Sequence, residues 1–316
     1  MTLTLAEVKG LLGDNRITPS RALGQNFVAD PNTVRRVARL SGVGPGDHVV
    51  EVGAGLGSLT LALAETGARV LAVERDQWLV PILRQVLGAR GVNGVTVVQA
   101  DAMALDWAEL LGPATTWSLV ANLPYNVATP LVADLLDAVP AVARMTVMVQ
   151  REVADRLVAR PGSPAYGAVS VKVAYWAEAA LLGTVPASVF VPRPRVASAI
   201  VGITRRPLPA VPATVVGPDQ LFRVVRTGFA QRRKMLRRAL APLAPPPGAF
   251  AAAGVSEQAR AEDLAVADWG RLAAAIAGPA AIAVPAKGTS PAAVTSPAAV
   301  TSRAAITAQA GGPIDG

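Results

Sequence analysis

Short apolar runs alternate with helical patterns along the first two thirds of the chain. Five runs have the length and the β-branched residues of buried strands. They occupy residues 48–52, 69–73, 95–98, 117–121 and 145–149. Between them, segments such as 59–65 and 79–87 repeat their apolar residues at helical spacing. This alternation predicts an α/β fold with a doubly wound sheet, which two later strands near 180–185 and 199–204 complete.

Residues that are typical of helix starts and helix breaks predict the helices at the N-terminus and after the sheet. Thr4 and Glu7 have the spacing of a capping box, and Asp30 before Pro31 predicts the start of a second helix. Prolines at positions 207, 209 and 212 interrupt the sheet pattern, and residues 219–277 then have a helical pattern with Pro and Gly breaks. A small helical region should therefore follow the sheet.

Three segments follow from these patterns. We predict a sheet domain over residues 1–206, an all-helical C-terminal domain over 207–277 and a tail over 278–316. The tail contains three approximate hexads rich in Ala, Ser, Thr and Pro. Because such a segment lacks the bulky apolar side chains that offset the entropy of ordering, we expect it to be disordered.

The composition argues against several kinds of chemistry. The 316 residues include no cysteine and one histidine, His48, so disulfides, zinc–thiolate sites and histidine metal clusters are not expected. No apolar stretch approaches the roughly 20 residues needed to cross a bilayer, and no charged leader precedes an apolar run. We therefore expect a cytoplasmic, monomeric protein without a metal or a membrane partner.

Positive charge is concentrated toward the C-terminus. Residues 1–205 carry 18 Lys and Arg against 16 Asp and Glu, whereas residues 206–316 carry 12 against 6. Arg226, Arg233 and Arg237 belong to a stretch without acids, and their spacing of 7 and 4 predicts one face of a helix. Charged faces are usually only solvated, but this block suits a polyanion, and an RNA backbone is the preferred partner.

A glycine-rich turn follows the first predicted strand. Gly53, Gly55 and Gly57 alternate with other residues, so the backbone can turn sharply and a ligand can approach it closely. Glu74 ends the next strand and is placed to bind ribose hydroxyls, and Asp101 follows the third strand, where it could bind an adenine amino group. The spacing differs from the dinucleotide pattern and favours a nucleoside cofactor. A plain tight turn with solvated carboxylates is the alternative.

The fourth predicted strand ends in Asn122, Leu123, Pro124 and Tyr125, which are the candidate catalytic residues. An exocyclic adenine amine is a poor nucleophile because its lone pair is delocalised into the ring. The Asn122 carboxamide oxygen and the Leu123 carbonyl could accept its hydrogen bonds and localise that pair. Pro124 stiffens the turn, and Tyr125 offers a face for base stacking. A structural Asn-x-Pro turn with a core tyrosine is the alternative.

A proline-rich segment offers a second candidate contact with RNA. Phe190 is followed by two prolines, Arg193 and Arg195, which predicts a stiff loop with an exposed aromatic ring and two guanidinium groups. The ring could stack on a base while the guanidinium groups contact phosphates. The alternative is a linker with a buried phenylalanine.

Six motifs in this order resemble the bacterial small-subunit rRNA adenine dimethyltransferase family. They are L-G-Q-N-F at 23–27, E-V-G-A-G-L-G at 51–57, E-R-D at 74–76, Q-A-D-A at 99–102, N-L-P-Y-N at 122–126 and F-V-P-R-P at 190–194. The resemblance covers about residues 15–275 and implies a Rossmann-like methyltransferase sheet with S-adenosylmethionine as cofactor. The cofactor contacts that it implies are Asn26, the backbone at Val28, Gly53, Glu74, Asp101 and Asn122.

The resemblance also implies a substrate. Family members dimethylate N6 of two adjacent adenines in the 3′-terminal hairpin of small-subunit rRNA, in immature 30S particles. Tyr125 and Phe190 would then sandwich the target adenine. The chain departs from the family pattern at Ala54, usually proline, and at Val28, usually leucine. Neither change removes a functional group, although both could alter affinity for the cofactor.

Two other functions compete with this interpretation. The first is a large-subunit rRNA adenine methyltransferase of the macrolide-resistance type, but such enzymes typically carry isoleucine at the position of Leu123 and lack the Phe-x-Pro-x-Pro segment. The second is a non-catalytic RNA-binding assembly factor that has kept the fold. The presence of Asn122, Tyr125, Glu74 and Asp101 argues against that alternative.

Overall fold

The computed structural model describes residues 2–20, 22–112, 116–124 and 126–278. The strands of this part are β1 (Phe27–Val28), β2 (His48–Val52), β3 (Arg69–Glu74), β4 (Val95–Gln99), β5 (Trp117–Asn122), β6 (Val142–Gln150), β7 (Ala177–Val185), β8 (Phe190–Val191) and β9 (Ser198–Arg205). All seven strands expected from the sequence are therefore present, several of them longer than expected.

Helices separate most of these strands and make up the region beyond β9. They are α1 (Leu5–Asp14), α2 (Pro31–Ser41), α3 (Ser58–Ala64), α4 (Leu79–Ala89), α5 (Trp107–Leu111), α6 (Ala128–Ala138), α7 (Arg151–Leu157), α8 (Ala168–Trp176), α9 (Pro218–Ala230), α10 (Leu236–Ala239), α11 (Ala249–Ala253) and α12 (Val266–Ala277). Short 3₁₀ turns lie at Ala187–Val189, Ala241–Leu243 and Ala261–Asp263. Among the described residues, no helix combines the length and the apolar character that spanning a membrane requires.

Side-chain caps begin the first two helices where the sequence predicts them. The Thr4 hydroxyl accepts a hydrogen bond from the Glu7 amide at 3.3 Å, and the Glu7 carboxylate accepts one from the Thr4 amide at 2.8 Å. The Asp30 carboxylate accepts from the Thr33 amide at 2.9 Å, and Pro31 occupies the first helical position. These caps satisfy amides that have no partner within the helix, so both predicted starts are confirmed.

The main sheet has the strand order β4-β3-β2-β5-β6-β9-β7 in the part of the chain that the structure describes. Strands β4, β3, β2, β5 and β6 are parallel, whereas β9 runs antiparallel to both β6 and β7. The chain winds outward from β2 to β4 and then returns to place β5 on the other side of β2. In open α/β sheets a ligand cleft forms at such a switch point, beyond the carboxyl ends of the strands.

Helices cover both faces of the sheet and build its core. On one face, Leu131 and Leu135 of α6 pack with Leu119 and Val147 of the central strands, and all four are fully buried. On the other face, residues of α2 and α3 pack against β2 and β3. Burial on two faces accounts for the nearly continuous apolar runs of the central strands.

The C-terminal helices have a core of their own around Trp269, which is fully buried. Helix α9 approaches this indole so closely that a Cβ on Gly228 would lie 2.6 Å from the ring. Tyr166 and Tyr175, which precede residue 206, also belong to this core. The described residues form one compact unit, and the proposed domain boundary at 206–207 stays a prediction. The predicted disordered tail lies outside the described residues, apart from Gly278.

Candidate active site

A cleft of about 1050 Å³, including the solvent at its mouth, opens at the carboxyl ends of β2, β3 and β5. It is lined by residues 23–28, 51–56, 58–59, 73–75, 79, 100–103, 122–124 and 126–127. A cleft at this edge of a doubly wound sheet is the place where such folds bind their ligands. The structure thus brings together all seven residues that the sequence predicts as cofactor contacts: Asn26, Val28, Gly53, Gly55, Glu74, Asp101 and Asn122.

The glycine turn after β2 forms the floor of the cleft. Gly53, Gly55 and Gly57 have φ values of +76°, +57° and +92°, which lie in the left-handed region that favours glycine. The amide of Gly53 donates to the Val73 carbonyl at 2.8 Å, which fixes the turn to the neighbouring strand. A Cβ on Gly55 would lie 3.1 Å from the ring of Phe27. Glycine at position 55 therefore leaves room beside the Phe27 ring at the cleft wall, and the positive φ values of Gly53 and Gly57 allow the turn itself.

If the cleft binds the cofactor that the sequence motifs imply, we expect Gly55→Ala to weaken binding of its demethylated form, S-adenosylhomocysteine, by about tenfold in calorimetry. Alanine at positive φ is strained by roughly 1 kcal/mol, and the new methyl group would press on Phe27 at the cleft wall. Gly42→Ala is the matched control, because Gly42 also has a positive φ of +67°, whereas a Cβ at that position would have no neighbouring atom within 4 Å. If Gly55→Ala and Gly42→Ala bound S-adenosylhomocysteine equally well, Gly55 would not form part of the floor of the binding cleft.

The carboxylate of Glu74 is held at the end of β3 by backbone amides. Its Oε2 accepts from the Gly55 amide at 2.7 Å, and its Oε1 accepts from the Asp76 amide at 2.8 Å. Glu74 is only 7% exposed, and this burial raises the pKa of its carboxyl group above the ordinary value. The alternative of a solvated carboxylate is therefore wrong for Glu74. Each oxygen keeps a further lone pair, with which it can bind a ligand hydroxyl.

Glu51 is a cleft residue that the sequence-based site prediction did not include. It is 1% exposed, and among the described residues its Oε2 has no hydrogen-bond partner. Burial, reinforced by the charge of Glu74 and partly offset by the Thr60 hydroxyl, raises the pKa of the Glu51 carboxyl group to about 8. A buried polar atom without a partner is unusual and points to a ligand. The position of Glu51 two residues before the glycine turn was the signal that could have identified it.

The N-terminal wall of the cleft is tied to the sheet by side chains. Gln25 donates from Nε2 to the Asp76 carboxylate at 2.7 Å, and its Oε1 accepts from the Ser20 amide at 2.7 Å. The Asn26 side chain donates to the Gly24 carbonyl at 3.1 Å. These bonds hold the segment that contains Asn26 beside Asn122 at the end of β5.

The Asn-Leu-Pro turn follows β5. Asn122 donates from Nδ2 to the Asn26 carbonyl at 3.0 Å, so its carboxamide plane is fixed and Oδ1 stays available as an acceptor. Leu123 is buried, and its amide donates to the Met148 carbonyl at 3.0 Å. The Pro124 carbonyl accepts from the amides that begin α6. Tyr125 lies outside the described residues, so its predicted stacking role stays a prediction.

The expectation that Phe190 is an exposed ring is wrong. Phe190 is 3% exposed and packs in the same core cluster as Val28. The reason is that β8 pairs antiparallel with β1, with Phe190 opposite Val28, so the segment begins as a strand rather than as a free loop. Arg193 and Arg195 are exposed, as expected. The stacking role of Phe190 stays a prediction.

The expectation that three C-terminal arginines share one helical face is also wrong. Arg226 lies on α9, Arg233 lies in the following turn, and Arg237 lies on α10. Helix α9 ends at Ala230, residues 231–233 form a turn, and Met235 then forms a β-bridge to Arg260, so the chain leaves the helical path before α10 begins. All three arginines are nevertheless exposed, so each can still contact a polyanion.

The stretch without acids described above contains seven Lys and Arg residues between positions 223 and 238, and one of them, Arg232, has a structural role. Arg232 forms an ion pair with Glu262, with Nε and Oε2 separated by 2.7 Å, and it donates to the Pro164 carbonyl at 2.7 Å. The other six Lys and Arg residues between positions 223 and 238 are exposed. Six of the basic residues predicted to contact a polyanion are therefore exposed, whereas Arg232 is held by contacts within the protein.

A mostly parallel sheet with this strand order, a glycine turn, the buried acids Glu51 and Glu74 near the ends of two strands and an Asn-Leu-Pro turn at a third define a Rossmann-like methyltransferase. Residues 18–278 match the family described as ribosomal RNA adenine dimethylase. The chain belongs to this family. The methyltransferase fold and the family that the sequence motifs resemble are thereby confirmed.

Curated relatives include proteins named ribosomal RNA small subunit methyltransferase A. The protein from Kineococcus radiotolerans is 51% identical over 86% of this chain and 91% of its own length. The protein from Streptomyces avermitilis is 47% identical over 85% of this chain and 92% of its own length. Both relatives are thus similar along nearly their whole length.

Solved structures show the same fold. The 23S rRNA methyltransferase ErmE has a TM-score of 0.62 and 26% identity, covering 80% of this chain and all of that chain. A dimethyladenosine transferase from Plasmodium falciparum has a TM-score of 0.63 and 21% identity, covering 77% of this chain and 94% of that chain. Since the small-subunit relatives are far more similar in sequence than the 23S enzyme, the large-subunit alternative is not favoured.

Proposed function

We propose that this protein transfers methyl groups from S-adenosylmethionine to N6 of two adjacent adenines in the 3′-terminal hairpin of small-subunit rRNA. It acts as a monomer in the cytoplasm, on immature 30S particles. The observation that carries the proposal is Asn122, whose carboxamide is fixed by the Asn26 carbonyl at the edge of the cleft that also contains Glu74 and Asp101.

The cofactor fits the residues present in the cleft. S-adenosylmethionine supplies an electrophilic methyl group on a positively charged sulfur. Glu74 and Asp101 line the cleft and offer carboxylate groups to this cationic ligand. Glu74 is held by two amides in one orientation, suited to ribose hydroxyls, and Gly53 and Gly55 leave backbone accessible beside it.

Asn122 and Leu123 would activate the target amine. A hydrogen bond from the adenine amino group to Asn122 Oδ1 draws its lone pair out of conjugation with the ring. The Leu123 carbonyl offers a second acceptor on the same turn. Because the methylated amine would be cationic and would lose its proton readily to water, positioning and electrostatics by these residues would suffice without a strong general base.

The exposed arginines would hold the RNA. Arg193 and Arg195 follow β8, and Arg226, Arg233 and Arg237 are exposed in the C-terminal helical region. Guanidinium groups bind phosphates without reading sequence, so they would orient the rRNA while the cleft selects the extruded base. Binding of this kind weakens as the salt concentration rises.

Incubation of the full-length protein with labelled S-adenosylmethionine and immature 30S particles tests the proposal. We expect label in small-subunit rRNA, recovered as N6,N6-dimethyladenosine by mass spectrometry of nuclease digests. Purified 50S particles and 23S rRNA serve as controls and should stay unlabelled. Label in 23S rRNA would instead support the large-subunit alternative, and binding without any transfer would support a non-catalytic assembly factor.

A further inference from the structure

An ion pair spans the ends of two neighbouring strands at the wall of the cleft. Arg75 follows Glu74 at the end of β3, and Asp101 lies two residues beyond the end of β4. Arg75 Nη1 lies 3.1 Å from Asp101 Oδ2. Both residues line the cleft, and Arg75 is the one cationic side chain among the described lining residues.

The carboxylate of Asp101 is held from two sides. Its Oδ1 accepts a hydrogen bond from the Met103 amide at 3.0 Å, while Oδ2 faces the Arg75 guanidinium. A carboxylate has about four acceptor positions, so two partners leave capacity for a ligand amino group. Arg75 therefore orients this carboxylate without competing for its remaining positions.

We propose that Arg75 is a positioning residue that helps the cleft select the adenine ring of the cofactor. This inference rests on the proposed function, in which Asp101 accepts a hydrogen bond from the adenine amino group. Arg75 fixes the orientation of that acceptor. Its planar guanidinium also presents a cationic face against which an aromatic ring can stack.

The ion pair suits this role better than a role in stability. The side chains of Arg75 and Asp101 are 61% and 35% exposed, and exposed pairs of this kind contribute little to folding. A ligand that covers the pair removes water from it, and the interaction then strengthens. Since Asp101 neutralises Arg75 locally, the guanidinium does not oppose binding of a cationic cofactor.

Calorimetry with two nucleosides tests the inference. S-adenosylhomocysteine carries the amino group, whereas S-inosylhomocysteine carries a carbonyl oxygen that the Asp101 carboxylate repels. The wild-type chain should prefer the adenosyl compound. In Arg75→Ala we expect the Kd for S-adenosylhomocysteine to rise about tenfold and the preference over the inosyl compound to fall several-fold.

Four further variants separate the possible explanations. Arg75→Lys keeps the charge without the planar face, so it should recover the preference but only part of the affinity. The double variant Arg75→Ala, Asp101→Asn should prefer S-adenosylhomocysteine over S-inosylhomocysteine to the same degree as Asp101→Asn alone. Arg75 acts through Asp101, so removing it has no further effect once the carboxylate is gone. Arg84→Ala, at an exposed position on α4 outside the cleft, should leave both affinities unchanged.

Kinetics give a second readout that loss of folding would not reproduce. Arg75→Ala should raise the KM for S-adenosylmethionine about tenfold while changing kcat less than twofold. The inference would be overturned if Arg75→Ala had the affinity and the preference of the wild type. It would also be overturned if Arg75→Ala bound S-adenosylhomocysteine more tightly, because Arg75 would then compete with the ligand for Asp101. If the wild-type chain bound neither nucleoside, the proposed function itself would fail.

Discussion

Asn122→Ala should lower methyl transfer to immature 30S particles by a factor of about 10² to 10³, the effect typical of removing one preorganised hydrogen-bonding group from an active site. The alanine lacks the acceptor that localises the lone pair of the amine, and no neighbouring side chain on the described part of the turn replaces it. Because Asn122 lies at the cleft rather than among the exposed arginines, RNA binding should stay largely intact. Single-turnover transfer and a filter-binding assay measure the two effects separately.

A matched control distinguishes chemistry from stability in this experiment. Asn93→Ala removes the same group from an exposed turn between α4 and β4, outside the cleft, and should leave transfer unchanged. The melting temperatures of both variants should lie close to that of the wild type. Full transfer activity in Asn122→Ala would exclude the proposed role of the carboxamide.

Local residue chemistry made most of the fold and the cleft predictable. Capping residues such as Thr4 and Asp30 act within one helical turn, and each of them begins the helix that the sequence predicts. The glycine turn could be predicted for the same reason, because the positive φ values of Gly53 and Gly55 depend on their own backbone. Parallel strands then bring their carboxyl ends to one edge, which places Glu74 and Asn122 together.

The errors concern contacts between residues distant in sequence. Phe190 is buried because its strand pairs with β1, near the start of the chain, and no local pattern of prolines and arginines reveals that pairing. Helix α9 ends at Ala230 in a turn, and Met235 beyond that turn pairs with Arg260 in a distant part of the sequence. A periodicity of basic residues cannot detect such a bridge, so a continuous helical face was predicted where three separate elements lie.

Glu51 illustrates a further limit of the sequence pattern. Its place before the glycine turn is consistent with an ordinary strand residue, and β2 is buried on both faces. Burial of its carboxyl group becomes evident only when the neighbouring Glu74 and the cleft are in place. Sites that bind ligands often retain polar groups that weaken the fold, and Glu51 fits that description.

Glu51→Gln should make the ligand-free protein more stable at pH 8, by up to about 4 kcal/mol in free energy of unfolding. The folded-state pKa of Glu51 is about 8, well above the ordinary value of 4.5, because the carboxyl group is buried. Between these two values the unfolded chain releases a proton that the folded chain retains, so Glu51 makes wild-type stability fall as the pH rises. Glutamine keeps the shape of the neutral carboxyl group and does not titrate.

The test is chemical denaturation of the wild type and Glu51→Gln at half-unit steps from about pH 4 to pH 8. At about pH 4 the two proteins should have similar free energies of unfolding, because Glu51 is then mostly protonated in both the folded and the unfolded wild-type chain. As the pH rises toward about 8, the difference between the two free energies should grow steadily. Glu152→Gln is the control, because Glu152 is an exposed residue on α7 paired with Arg156. The free energy of unfolding of Glu152→Gln should change with pH in the same way as that of the wild type. Parallel profiles for Glu51→Gln and the wild type would show instead that Glu51 is charged in the folded protein, and a compensating cation near its carboxylate would then be required.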